Sequence, residues 1–208
     1  MQPLDLLSLF FMASVLLAVT PGPDNLFVLA QAAQRGKVAG LAVTLGLCTG
    51  LLVHTGAVAL GIAAIFKAST VAFSVLKYVG AGYLLFLAYK SFRSNTCERA
   101  GHKTKKLAFS TLYRRGIIMN ITNPKVSLFF LAFLPQFTDP LYGTLVPQIV
   151  LLGVIFIIAT ALVFGSISLL AGAMGEKFQQ SDSAQLILNR LAGTVFVALA
   201  VKLALAKR

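Results

Sequence analysis

Of the 208 residues, 58% are hydrophobic and only 12% are charged, and the mean hydropathy is +0.86. Soluble domains carry about 25% charged residues, so the composition excludes an ordinary soluble fold and indicates an all-α membrane protein. The net charge of +12 does not signal a nucleic-acid partner, because eight of the 18 basic residues fall between Lys90 and Arg115, with apolar spans on both sides.

The first basic residue is Arg35. The opening apolar run therefore has no basic n-region ahead of it and is expected to be retained rather than cleaved as a signal peptide. Cys48 falls in a predicted span and Cys97 in a loop, 49 positions away. That spacing offers no disulfide framework, no paired thiols and no metal motif, and no cofactor is expected.

The first apolar stretch runs over 4–19, is interrupted at Thr20-Pro21-Gly22-Pro23-Asp24-Asn25, and resumes over 26–33. Thirty helical residues would measure about 45 Å against a hydrocarbon core of about 30 Å, so the interruption belongs at membrane depth. After the polar turn Gln34-Arg35-Gly36-Lys37, a second span covers 38–66. Gly36 and Gly40 at its start and Gly46 and Gly50 within it make two small-xxx-small steps that admit another backbone closely. These steps suit packing inside one bundle or pairing with a second copy, and the preference is for a homodimer. Thr44, Cys48 and Thr55 are placed on one weakly polar face with His54 beside it, and a third span covers 71–89.

Segment 90–115 is the only long polar stretch, with eight basic residues against Glu98 for a net +7. Cytoplasmic loops are rich in Lys and Arg, which puts this segment, the turn at 35–37 and the turn at Glu176 and Lys177 inside. Lys67, Asp139 and both termini then lie outside, although Lys202, Lys207 and Arg208 run against an outer C-terminus. A fourth span, 116–134, is broken at Thr122-Asn123-Pro124-Lys125; a fifth covers 145–174 and a sixth 186–205. The expectation is six transmembrane helices as two inverted three-helix repeats, 1–89 and 116–208, joined by the basic cytoplasmic loop 90–115. An odd number of spans per repeat turns the second upside down.

The two breaks superpose at a shift of 102 without a gap, which aligns Val19, Thr20, Leu26 and Phe27 with Ile121, Thr122, Leu128 and Phe129, and Pro23 with Lys125. Pro inside a helix removes a hydrogen bond and strikes the carbonyl one turn back. In lipid the freed backbone must be buried in protein or line a watered cavity. Matching interruptions at Pro21, Gly22 and Pro23 and at Pro124 therefore point to a transport site. Asn123 is a good N-cap with Pro124 at the first helical position. The half-helix start presents free N–H groups suited to a carboxylate, reinforced by Lys125, while Asp24 suits an ammonium. Thr20, Asn25 and Asn120 complete the candidate substrate-binding set. Asp24, whose charge state would respond to what lies beside it, is the candidate for proton coupling, with His54 as a second proton carrier or simply a packed, hydrogen-bonded ring. The rings of Phe129, Phe130, Phe133 and Phe137 are assigned to the core or to lipid, with room for one ring in the pocket.

The segments Thr20-Pro21-Gly22-Pro23-Asp24, Arg35-Gly36, Gly40…Gly46…Gly50…His54 and Leu76-Lys77-Tyr78-Val79-Gly80-Ala81-Gly82-Tyr83-Leu84 resemble the lysine exporter and homoserine/threonine efflux family. So do Asn120…Asn123-Pro124-Lys125…Phe129-Phe130…Phe133-Leu134-Pro135-Gln136-Phe137 and Leu188-Asn189-Arg190-Leu191-Ala192-Gly193. The resemblance implies a multi-pass exporter of amino acids or their derivatives in the bacterial inner membrane, driven by the proton gradient. One pair of opposite charges favours a neutral zwitterion, such as threonine or homoserine, over a basic amino acid. The main alternative, metal-cation efflux in the same superfamily, needs several hard or borderline ligands, and the spans offer Asp24, His54 and Cys48. An embedded enzyme would need a nucleophile–base set or a His-Glu-x-x-His motif, and the sequence has neither. A bland rival remains, in which Asp24 and Lys125 are a structural ion pair fastening the two halves.

Overall fold

The computed structural model describes residues 3–20, 22–68, 70–93 and 107–174, together with residues 190, 193, 194, 197, 198, 200, 201, 204 and 205 near the end. Pro21, most of the basic loop, the turn at Glu176 and Lys177, and most of the predicted sixth span lie outside the described residues. Within them the chain is helical throughout and has no strand.

Helix α1 (Leu4–Val19) stops where the Thr20 backbone N–H and its hydroxyl both bond the Leu16 carbonyl. Helix α2 (Pro23–Arg35) starts from an extended Gly22, with Pro23 at the position where a missing N–H costs nothing. It ends at Gly36, whose φ of +85° is the left-handed cap that glycine adopts most readily. Helices α3 (Lys37–Ala68) and α4 (Thr70–Arg93) come next. The second break separates α5 (Phe109–Ile121) from α6 (Pro124–Leu128). The chain then widens into a π-helical turn (Phe129–Phe133) and tightens into a 3-10 turn (Leu134–Phe137) before α7 (Leu145–Met174). Two helices are long and apolar enough to cross a membrane, over Lys37–Gly61 and Leu145–Ala171. The pair α1–α2, bent by 62°, and the pair of α5 with the whole stretch Pro124–Phe137, bent by 47°, bring the candidate crossings among the described residues to as many as four.

Three sequence expectations need correction. Helices reach into the basic segment from both ends, to Arg93 and from Phe109, because Leu112 and Gly116 of α5 have α3 to pack against. The superposition of the breaks is not gapless. The preceding helices end at Val19 and Ile121, an offset of 102, but the succeeding ones open at Pro23 and Pro124, an offset of 101. Asp24 and Lys125 therefore occupy the same second helical position. Finally, the fourth span does not run on as α-helix to Leu134, since Pro135 has no N–H to return to the preceding turn.

Helix α3 is the hub, packed on α7, α5 and α2. Its glycines set the distances. A Cβ on Gly46 would lie 2.1 Å from the Tyr113 carbonyl, and one on Gly116 would lie 2.4 Å from the Val43 carbonyl. Gly50 receives the side chain of Asn120, and Gly40 that of Ser168. These small residues are thus used inside the chain.

The buried apolar residues form two clusters. One gathers Phe10 and Leu17 of α1, Leu51 of α3, Phe129, Phe130, Phe133 and Phe137 after the second break, and Phe156 of α7. Its successive rings lie 4.7–6.1 Å apart. The other is smaller in side chains and takes Val28 of α2, Ala39, Ala42, Val43 and Leu47 of α3, Leu112 of α5 and Phe164 of α7. The pair α1–α2 passes from the aromatic cluster to the small-residue one, and α5–α6 passes the other way, so the two bent pairs run in opposite directions. The breaks fall between the clusters.

Candidate functional site

The polar layer between the clusters contains Thr20, Asp24, Asn25, Asn120, Asn123 and Lys125, all buried. Burying such groups in an apolar bundle is costly unless each finds a partner, so their bonds define what remains available.

Each break is completed partly by its own half and partly by the other. Asn25 reaches back and donates through Nδ2 to the carbonyls of Ala18 at 2.6 Å and Val19 at 3.3 Å, satisfying the open end of α1. The next carbonyl, Thr20, accepts from the Lys125 ammonium at 2.9 Å. In return Asn123 donates through Nδ2 to Asp24 Oδ2 at 2.7 Å, while its Oδ1 accepts from the Lys125 backbone N–H at 3.0 Å as the N-cap of α6. Asn123 therefore holds the carboxylate and the half-helix with one amide. The two charges have no direct hydrogen bond; they are joined through Asn123 and the Thr20 backbone.

Gly22 lies against the ammonium: a Cβ there would meet Lys125 Nζ at 3.4 Å and Asn25 Oδ1 at 3.9 Å, ordinary contact distances. On the other side, His54 Nε2 lies 3.2 Å from the Asn120 carbonyl. A carbonyl only accepts, so that nitrogen carries the hydrogen in this contact. The His54 ring packs on Phe130 at 5.6 Å.

Three buried acceptors in the layer receive no donor: Asp24 Oδ1, Asn25 Oδ1 and Asn120 Oδ1. Lys125 bonds one acceptor, leaving two of its three donor positions open. The layer thus holds surplus acceptors on Asp24, Asn25 and Asn120 and surplus donor positions on Lys125.

Of the residues singled out from the sequence, Thr20, Asp24, Asn25, Asn123 and Lys125 are brought together, with Asn120 and His54 bonded to each other alongside them. Thr20 meets Lys125 through its carbonyl, because its hydroxyl is turned into α1. The four phenylalanines after the second break are core, each at most 1% exposed. Among the described residues no group of three or more His, Cys, Asp or Glu could hold a metal ion. The backbone role of Asn25 is one that sequence reasoning misses; its single signal is an Asn placed just past a Pro-Gly-Pro break.

Apolar helices interrupted at proline breaks, with opposite charges buried at the interruptions, are a construction found in membrane transporters. The chain belongs to the LysE type translocator family, whose sequence profile matches residues 15–207. It is 29% identical over 198 residues to the homoserine/homoserine lactone efflux protein of Salmonella typhi, covering 95% of both chains. It is 30% identical over 131 residues, 62% of both chains, to the leucine efflux protein of Salmonella choleraesuis. A Vibrio cholerae protein named only as a membrane protein is 29% identical over 198 residues, 95% of this chain and 96% of that one. No solved structure matches the chain. Relatives named as efflux proteins are transporters, not enzymes.

Proposed function

We propose that the protein exports an amino acid or a close derivative from the bacterial cytoplasm across the inner membrane. The observation that carries this reading is the imbalance in the buried layer, with acceptors on Asp24, Asn25 and Asn120 that lack donors and an ammonium with open donor positions at Lys125. A zwitterion matches both sides. Its ammonium is taken by Asp24 Oδ1, with Asn25 Oδ1 and Asn120 Oδ1 as the remaining acceptors, and its carboxylate by Lys125 at the start of α6. One pair of charges suits a neutral amino acid such as threonine or homoserine, and the relatives named for homoserine and leucine efflux support the same class.

Export is coupled to proton entry by alternating access. Asp24 binds the substrate ammonium while the site faces the cytoplasm, and a proton from outside replaces that ammonium and releases it. His54, bonded to the Asn120 backbone, is the second candidate on the proton route. The opposite running directions of the two bent pairs support an inverted arrangement of two three-helix repeats, 1–89 and 116–208, that rock about the site. The basic segment 90–115 then marks the cytoplasmic side, with the small-residue cluster nearest to it. A homodimer remains part of the proposal, formed on a face other than the buried glycine seam of α3.

The test is efflux from proteoliposomes preloaded with a mixed amino-acid pool, with and without an imposed pH gradient. Selective, gradient-stimulated loss of one or a few amino acids supports the reading. Retention of the whole pool by folded protein sinks it.

A further inference from the structure

The buried face of α2 does not end at Asp24. Asp24, Val28 and Gln31 are buried on it, and Arg35 stands at the next step of the same face. At 1.5 Å per residue, this line runs about 16 Å from the break to the end of the helix. Arg35 is turned back along it. Its Nη1 donates to Gln31 Oε1 at 2.7 Å, Gln31 is only 8% exposed, and the Arg35 Nε is buried without an acceptor.

An arginine in the last turn of a helix is favourable to the helix dipole, but that role leaves its head free to reach water. Here the guanidinium is pinned inward, and no acidic side chain among the described residues meets it. A buried guanidinium edge with a free N–H is shaped for an oxyanion, which it binds through two parallel bonds.

We propose that Arg35, oriented by Gln31, forms a carboxylate-binding station at the end of α2, separate from the Asp24–Lys125 centre, where the substrate is first held on the cytoplasmic side. This rests on the export reading above. The station selects for a free carboxylate before the ammonium is engaged, and Gln31 is a positioning residue that aims the guanidinium.

The experiment compares homoserine with its lactone, which keeps the amine and lacks the carboxylate. Export by the full-length protein in proteoliposomes is measured for wild type, Arg35→Gln and Arg35→Lys. Arg35→Gln is expected to raise KM for homoserine relative to the lactone by about tenfold, the loss of roughly one charge-assisted contact. Arg35→Lys, which keeps the charge but not the fork, should give a smaller change in that ratio. An unchanged ratio overturns the station. So does a shift present in phosphatidylglycerol vesicles and absent in phosphatidylcholine, which would assign Arg35 to a net anionic lipid headgroup. If the wild type moves neither probe, the export reading itself fails, and the anion site is judged by melting of the detergent-purified protein. Stabilisation by acetate in wild type and not in Arg35→Gln retains the site, and equal melting overturns it.

Discussion

The two breaks share a plan and differ downstream of it. At each, a helix ends on a threonine and a new one opens on a proline, with an ionisable residue at the second position. After the first break α2 continues for 13 regular residues and carries a polar line to Arg35. After the second, α6 lasts five residues before Pro135 and the crowded phenylalanines turn the chain through π and 3-10 geometry. A π turn re-aims side chains relative to a regular helix, and here all four rings enter the aromatic cluster. One half supplies polar groups along a helix; the other supplies an apolar plug beside the same site. A shared cap geometry places the breaks, and the residues downstream decide what each half does.

The largest effect expected from breaking this pairing comes at the charge of the first break. Asp24→Asn keeps the shape and removes the anion, and export under an imposed pH gradient should fall about a hundredfold or more, as when one member of a buried charged pair is lost. Wild-type rates in that variant would show that Asp24 serves neither substrate nor proton. Next is the seam that sets the height of the second break. Gly46→Val has no room at 2.1 Å from the Tyr113 carbonyl and should abolish recovery of monodisperse protein, whereas Gly82→Ala, with nothing within 4 Å, should be recovered normally.

Phe130→Ala tests the plug. Removing a fully buried ring costs about 3–5 kcal/mol in packed cores, so the melting temperature in detergent should drop well below that of Val28→Ala in the small-residue cluster. Equal losses would erase the contrast between the clusters. Smaller still is the cap comparison. Asn123→Ala loses an N-cap, about 1 kcal/mol, and also strips Asp24 Oδ2 of its donor. Asn25→Ala strips the Ala18 and Val19 carbonyls of a donor and removes one unpaired acceptor, but leaves Asp24 Oδ2 its donor. Both should lower the melting temperature by similar amounts, but Asn123→Ala should depress export more.

Much of this is legible from residue order. Two Pro breaks of matching composition, a lone acid and a lone base inside apolar runs, and glycines spaced along the second span each carry a local signature. The structure adds what depends on distance between segments far apart in sequence. The one-residue difference in offset after the breaks arises from which residue caps each half-helix, and a sequence superposition that favours Val19 on Ile121 hides it. That the Asn25 amide nitrogen also reaches back to Ala18 and Val19 has no signal in the sequence, because an amide next to Asp24 looks the same whether or not it bonds the preceding helix. Phe129 to Phe137 cannot be divided between lipid and core from hydropathy, since both environments are apolar; burial against Phe10 and Phe156 decides it. The π turn has one signal, Pro135, which marks a lost bond without saying how the chain will absorb it.

The hydrogen bond from Lys125 to the Thr20 carbonyl spans 105 positions in the chain, and this bears on biosynthesis. When the first helices enter the membrane from the ribosome, Asn25 already lies close enough in sequence to serve Ala18 and Val19. Among the described residues the donor to the Thr20 carbonyl is Lys125, which follows the second break. An unpaired buried carbonyl is costly, so the first half begins as an unfinished piece, and the arrival of Lys125 is the step that closes it.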